Sequence, residues 1–95
     1  MAAYVVVNVE VLDPVRYPDY VKAVPATLAA YGGRFLVRGG KAETLEGTYQ
    51  PRRFVIIEFE SVERARAWWS SAEYAAPKAL RQSIARTDLL IVEGV

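Results

Sequence analysis

The sequence predicts an α+β fold in the order βαββαβ: a four-stranded antiparallel sheet with its helices on one face. Three observations predict it. Four segments rich in β-branched residues alternate side chains with the period of two that a strand imposes. Two intervening segments repeat apolar residues at three- and four-residue spacing, as amphipathic helices do. Ninety-five residues leave no room for a second domain, so residues 1–95 must share one core.

The first strand is the valine-rich stretch from Ala3 to Leu12. Val5, Val7, Val9 and Val11 share a purely apolar face that should meet the helices. Tyr4, Val6, Asn8, Glu10 and Leu12 share a mixed face. Asp13-Pro14 marks a turn. Tyr17, Tyr20, Val21, Val24, Leu28 and Tyr31 then define the first helix, with Pro18 in its first turn. Pro25 lies inside the pattern and predicts a kink or a division. Gly32-Gly33 end the helix, one of them in the left-handed conformation of a C-cap.

Arg34 to Arg38 is the second strand, with Phe35 and Val37 on one face and Arg34, Leu36 and Arg38 on the other. Gly39-Gly40 break it. A short extension over Ala42 to Glu46 and a polar loop to Arg52 follow. Arg53 to Glu60 is the third strand: Val55, Ile57 and Phe59 face one way, and Phe54, Ile56 and Glu58 the other. Ser61 caps the next helix, whose buried stripe is expected to hold Val62, Ala65, Trp69 and Ala72. The capping-box spacing of Ser70 and Glu73 predicts a second helical segment, running to Arg86. Asp88 to Glu93 is the last strand.

This order is the ferredoxin-like split βαβ arrangement. Right-handed crossovers put the first and third strands at the sheet centre. The face carrying Tyr4, Val6, Phe54 and Ile56 would then meet water in a monomer. A two-fold homodimer through that open sheet face, a dimeric α/β barrel, is the predicted remedy.

Composition narrows the chemistry. The chain has no cysteine and no histidine. That excludes disulfides, thiolate nucleophiles, Ser-His dyads and nearly all zinc or haem sites. Carboxylate-held metals stay open, although no cofactor is expected. The net charge of +1 gives no basic patch for nucleic acid and no membrane-binding surface. No signal-peptide pattern is apparent and no apolar run is long enough to span a bilayer, so a soluble cytoplasmic protein is expected.

Five ordered blocks carry a family resemblance: Tyr-Gly-Gly-Arg-Phe-Leu-Val-Arg-Gly-Gly at 31–40, Leu-Glu-Gly at 45–47, Val-Ile-Ile-Glu-Phe at 55–59, Ala-Trp-Trp-Ser-Ser-Ala-Glu-Tyr at 67–74 and Ile-Val-Glu-Gly at 91–94. Together they resemble the DUF1330 family of small bacterial proteins without an assigned function. The resemblance spans essentially the whole chain. It implies the ferredoxin-like, dimeric α/β-barrel fold. The wider superfamily includes monooxygenases, isomerases, dehydratases and stress proteins that place histidines or carboxylates between sheet and helices. Without histidine, such a mechanism does not transfer to this chain.

The candidate site is read from the residues. If the first and third strands are neighbours, Asn8 and Glu58 share a sheet face, and Arg38 on the adjoining strand falls on the same polar side. Glu58 would be a general base and Arg38 an anion clamp; the alternative is a structural Glu-Arg pair. Trp69, Ser71 and Tyr74 would line the mouth of a pocket for a small anionic or oxygenated ligand, with Asn8 orienting it and Arg81 two helical turns further on. Capping by Ser70 or Ser71 and core packing by one tryptophan are the competing roles. Gly32-Gly33 and Gly39-Gly40 match no phosphate-binding fingerprint and read as cap and turn. Two functions follow: a ligand-binding dimer, or a cofactor-free enzyme of the isomerase, lyase or monooxygenase kind.

Overall fold

Valines at alternate positions of β1 (Ala3–Val11) decide which way the sheet faces. Val5, Val7 and Val9 are buried, while Tyr4, Val6 and Asn8 alternate with them on the other side. The computed structural model describes residues 1–95. After β1 come α1 (Tyr17–Ala29), β2 (Arg34–Arg38), β3 (Arg53–Phe59), α2 (Val62–Trp69), α3 (Ala72–Ile84) and β4 (Ala85–Glu93). The sheet order is β2-β3-β1-β4 with every neighbouring pair antiparallel. The first and third strands are therefore central, and the fold is the α+β arrangement that the element order predicts.

The core lies between the sheet and the helices. Val5, Val7, Val55, Ile57 and Phe59 rise from the central strands to meet Val24 and Leu28 of α1, Ala65 and Trp68 of α2, and Tyr74 and Ile84 of α3. Phe59 packs against Trp68 with ring centroids 5.6 Å apart, and Trp68 stacks on Tyr74 at 4.1 Å. The indole N–H of Trp68 is buried and donates to Thr27 Oγ1 at 3.0 Å. A buried donor needs such a partner.

Four expectations are corrected. α1 runs through Pro25 as one helix and is not divided there. Pro25 has no N–H for the carbonyl of Val21, four residues earlier. That carbonyl instead accepts from Arg38 Nη2 at 2.6 Å, so an outside donor satisfies the group that proline orphans. The cap of α3 is Ser71, not Ser70: its hydroxyl accepts from Tyr74 N at 3.1 Å, while Ser70 Oγ donates back to Arg66 O. β4 begins at Ala85, directly after α3, because β1 offers partners as far as Val11 opposite Ala85. The expected extension over 42–46 is not a strand; β2 and β3 are joined by a loop.

The other sheet face has no helix on it. Register places Val37, Ile56, Val6 and Leu90 in one cross-strand row and Arg34, Glu58, Tyr4 and Val92 in the next. Leu90 and Val92 are exposed. No helix is long and apolar enough to cross a membrane.

Candidate functional site

The site is built by an irregularity in β2. Arg34 pairs with Glu58 and Phe35 with Ile57, but Val37 pairs with Ile56 and Arg38 with Val55. Leu36 is thus an extra residue, a β-bulge, and everything after it changes face. Arg34 stays on the open face, where its Nε donates to Glu58 Oε1 at 2.6 Å. Arg38 turns to the helix face beside Val55. The predicted Glu58–Arg38 pair therefore does not form: strict alternation put both on one side, and the bulge separates them. Asn8 is on the open face with Glu58 but opposite Phe54, whereas Glu58 is opposite Tyr4. Four residues of strand separate them by about 13 Å. Asn8 Oδ1 accepts from Arg52 N at 2.7 Å and so anchors the end of the β2–β3 loop.

On the helix side, Arg38 is at the edge of an apolar cleft between the sheet, α1 and α3. Its 14 lining residues include Tyr17, Tyr20, Phe35, Trp68 and Tyr74, with valines and Ile57 as the floor. Only Arg38 and Arg53 among them carry charge, and none is Asp or Glu. The cleft spans about 410 Å³ including its open mouth, but the centre of a water molecule can occupy only about 30 Å³ of it, room for one or two waters. Arg38 is exposed and Arg53 half-buried, so both cations belong to the solvent side.

Each arginine is held by an aromatic ring. The Arg38 guanidinium is 4.3 Å from the Phe35 ring centroid, and that of Arg53 is 5.5 Å from the ring of Tyr17, both within cation–π range. Gly39 makes room for Arg53. It has φ +73, and a Cβ there would be 2.5 Å from Arg53 Nη1. A side chain at 39 would be strained in its backbone and would push the guanidinium end of Arg53 aside.

In the cleft wall, Tyr20 and Tyr74 share a hydrogen bond of 2.6 Å between their hydroxyls. Arg81 Nε donates to Tyr74 Oη at 3.4 Å. Arg81 is only 4% exposed and belongs to neither ion pair of the chain, Arg34–Glu58 or Arg86–Glu10. Its pKa is raised: burial alone would lower it, but the phenols of Tyr74 and Tyr20 outweigh that. Burial and Tyr74 push the Tyr20 phenol far above its ordinary range. Tyr17 is raised by burial, partly offset by the charges of Arg53 and Arg81. The cleft therefore presents neutral hydroxyls and permanent cations.

The remaining predicted site residues disperse. Trp69 is on the surface under Lys78 Nζ, 3.8 Å from its ring centroid, and Trp68 takes the buried place expected for it. Ser71 is buried as the α3 cap and donates to Trp68 O at 2.7 Å. Tyr74 lines the cleft and Arg81 adjoins it. No group of three His, Cys, Asp or Glu side chains is arranged to hold a metal.

The model of the family described as "Domain of unknown function (DUF1330)" matches residues 2–95. The chain belongs to the DUF1330 family. Among solved structures, this DUF1330 chain is similar to the RPA0582 protein of unknown function from Rhodopseudomonas palustris, with a TM-score of 0.78 and 16% identity over 99% of this chain and 82% of that one. It is also similar to SnoaB, a cofactor-independent oxygenase from Streptomyces nogalater: TM-score 0.68, 11% identity, 99% of this chain and 93% of that one. A dimeric ferredoxin-like protein of unknown function from Jannaschia sp. CCS1 gives a TM-score of 0.68 at 12% identity, over 99% of this chain and 100% of that one. At these identities the likeness speaks to the fold, which is ferredoxin-like. No curated protein matches the DUF1330 chain.

Sequence reasoning misses Tyr20, Arg53 and Trp68 as cleft residues. A signal for Arg53 exists: it has the parity of Val55, Ile57 and Phe59 and so must share their face.

Proposed function

We propose that this DUF1330 protein is a cytoplasmic homodimer that binds a small aromatic ligand with an anionic oxygen in the cleft between sheet and helices. One observation carries the reading. The cleft is walled by aromatic rings and valines, its only charges are Arg38 and Arg53, and no carboxylate lines it. An apolar enclosure with a few convergent polar groups is the usual form of a small-molecule site. Planar guanidinium groups suit carboxylate or phenolate oxygens. The ligand's ring would occupy the mouth beside Tyr17 and Phe35, because the free space of the cleft holds little more than water.

A second copy would cover the open face, where the rows through Val6 and Tyr4 leave Leu90 and Val92 exposed. The dimeric ferredoxin-like protein similar to this chain supports that assembly. The cofactor-independent oxygenase among the similar structures favours a second reading, in which the bound ligand is also transformed without a cofactor. In that case Glu58 is not the base, since it is on the opposite sheet face and bonded to Arg34.

A thermal-shift screen of aromatic carboxylates and phenols against their neutral amides and ethers tests the binding reading. Anionic members should raise Tm, neutral counterparts should not, and Arg38→Gln with Arg53→Gln should remove the response. Equal stabilisation by charged and neutral members would rule out the arginine-rimmed site.

A further inference from the structure

We infer that Tyr20, Tyr74 and Arg81 form a hydrogen-bond donor that holds a phenolate or enolate oxygen of the cleft ligand in its ionised form. The inference rests on the cleft being the ligand site and names the chemistry at its inner wall. It starts from a proton count. The two phenols have two protons and make one bond with each other, at 2.6 Å. Whichever of them donates, one proton stays unspent, and both residues line the cleft.

Arg81 decides where that proton is useful. A guanidinium only donates, so its contact with Tyr74 Oη at 3.4 Å makes the phenol pair the acceptor. A donor feeding one end of a hydrogen-bonded pair polarises it and strengthens the donation at the other end. Arg81 also brings a positive charge that is 4% exposed and has no carboxylate partner. Buried charges are normally paired. An anionic oxygen against the tyrosine pair would supply the missing counter-charge. The other titratable and charged groups facing the pair are Tyr17 from α1, Arg38 from β2 and Arg53 from β3; they add a further phenol, two cations and no carboxylate. Such a wall discriminates. A phenol or enol can give up its proton and gain from the donor and the cation together, whereas an ether of the same shape cannot.

The test uses 4-nitrophenol, whose visible phenolate band reports its protonation directly. Titrated in the presence of saturating wild-type protein, it should be more acidic than in water, because donors to an anion favour the anion. Tyr20→Phe with Tyr74→Phe keeps both rings and removes both protons. It should weaken the bound phenol's acidity about tenfold, the effect of one lost hydrogen bond to a charged group. Arg81→Met is a second variant that leaves the phenols in place. It should shift the titration in the same direction while sparing affinity for the methyl ether, 4-nitroanisole. Circular dichroism establishes that each variant is folded. An unchanged titration in a folded variant overturns the donor while leaving the cleft as ligand site. No binding of 4-nitrophenol by the wild-type protein overturns both.

Discussion

At Tyr20, burial first and the neighbouring Tyr74 hydroxyl second favour the neutral phenol over the phenolate, and its pKa is raised accordingly. Unfolded tyrosine ionises near pH 10. The folded chain therefore holds a proton that the unfolded chain loses above that pH. The stability this contributes is complete below about pH 10 and declines as pH rises towards the folded value. Each such group adds a slope of at most about 1.4 kcal/mol per pH unit. Denaturant unfolding should be flat at neutral pH and weaken above about pH 10, and Tyr20→Phe should make that decline shallower. A decline of the same slope in Tyr20→Phe would show that Tyr20 is not among the groups responsible. The same burial that makes Tyr20 hard to ionise keeps it a hydrogen donor at pH values where a free tyrosine would have lost its proton.

Pro25 acts on the element that contains it and on the strand beside it. Removing one amide from α1 exposes the Val21 carbonyl, and Arg38 fills the gap from β2. Pro25→Ala would restore the internal donor and compete with Arg38. The helix should gain, up to about 3 kcal/mol, readable as a higher midpoint in denaturant, and Arg38, released from its tether, should grip an anionic ligand less firmly. A variant that is more stable but binds as before would break the link between proline and arginine. Strand parity explains what the sequence reveals here and what it hides. β1 and β3 are legible because their valines and isoleucines alternate without interruption, and the helices because their stripes repeat at helical spacing. Arg38 is not, since one extra residue at Leu36 reverses its face and nothing between Arg34 and Arg38 marks the bulge, not even a glycine. The choice between Trp68 and Trp69 is equally hidden: both fit the helical stripe, and a hydroxyl on Thr27, 41 residues away, decides which indole is buried. Tyr74 and Arg81 are legible as members of one cluster, while their partner Tyr20 is on another helix and reaches them only through the fold.

For the molecule as a whole, the proposed homodimer rests on the open sheet face. A row from Val37 through Ile56 and Val6 to Leu90 crosses all four strands, and burying it against a second copy would remove that surface from water at about 25 cal/mol per Å². Val6→Lys places a charge at the centre of the row. Sedimentation should find wild-type dimer at micromolar concentration and Val6→Lys monomer; a wild-type chain that stays monomeric would remove the barrel. The bulge in β2 bears on how far such association runs. β2 is five residues long, broken at Leu36 and ended by an arginine on each side, which makes it a poor template for a foreign strand. On this arrangement the face of the sheet accepts one copy, and its β2 edge discourages a fibre from lengthening on that side.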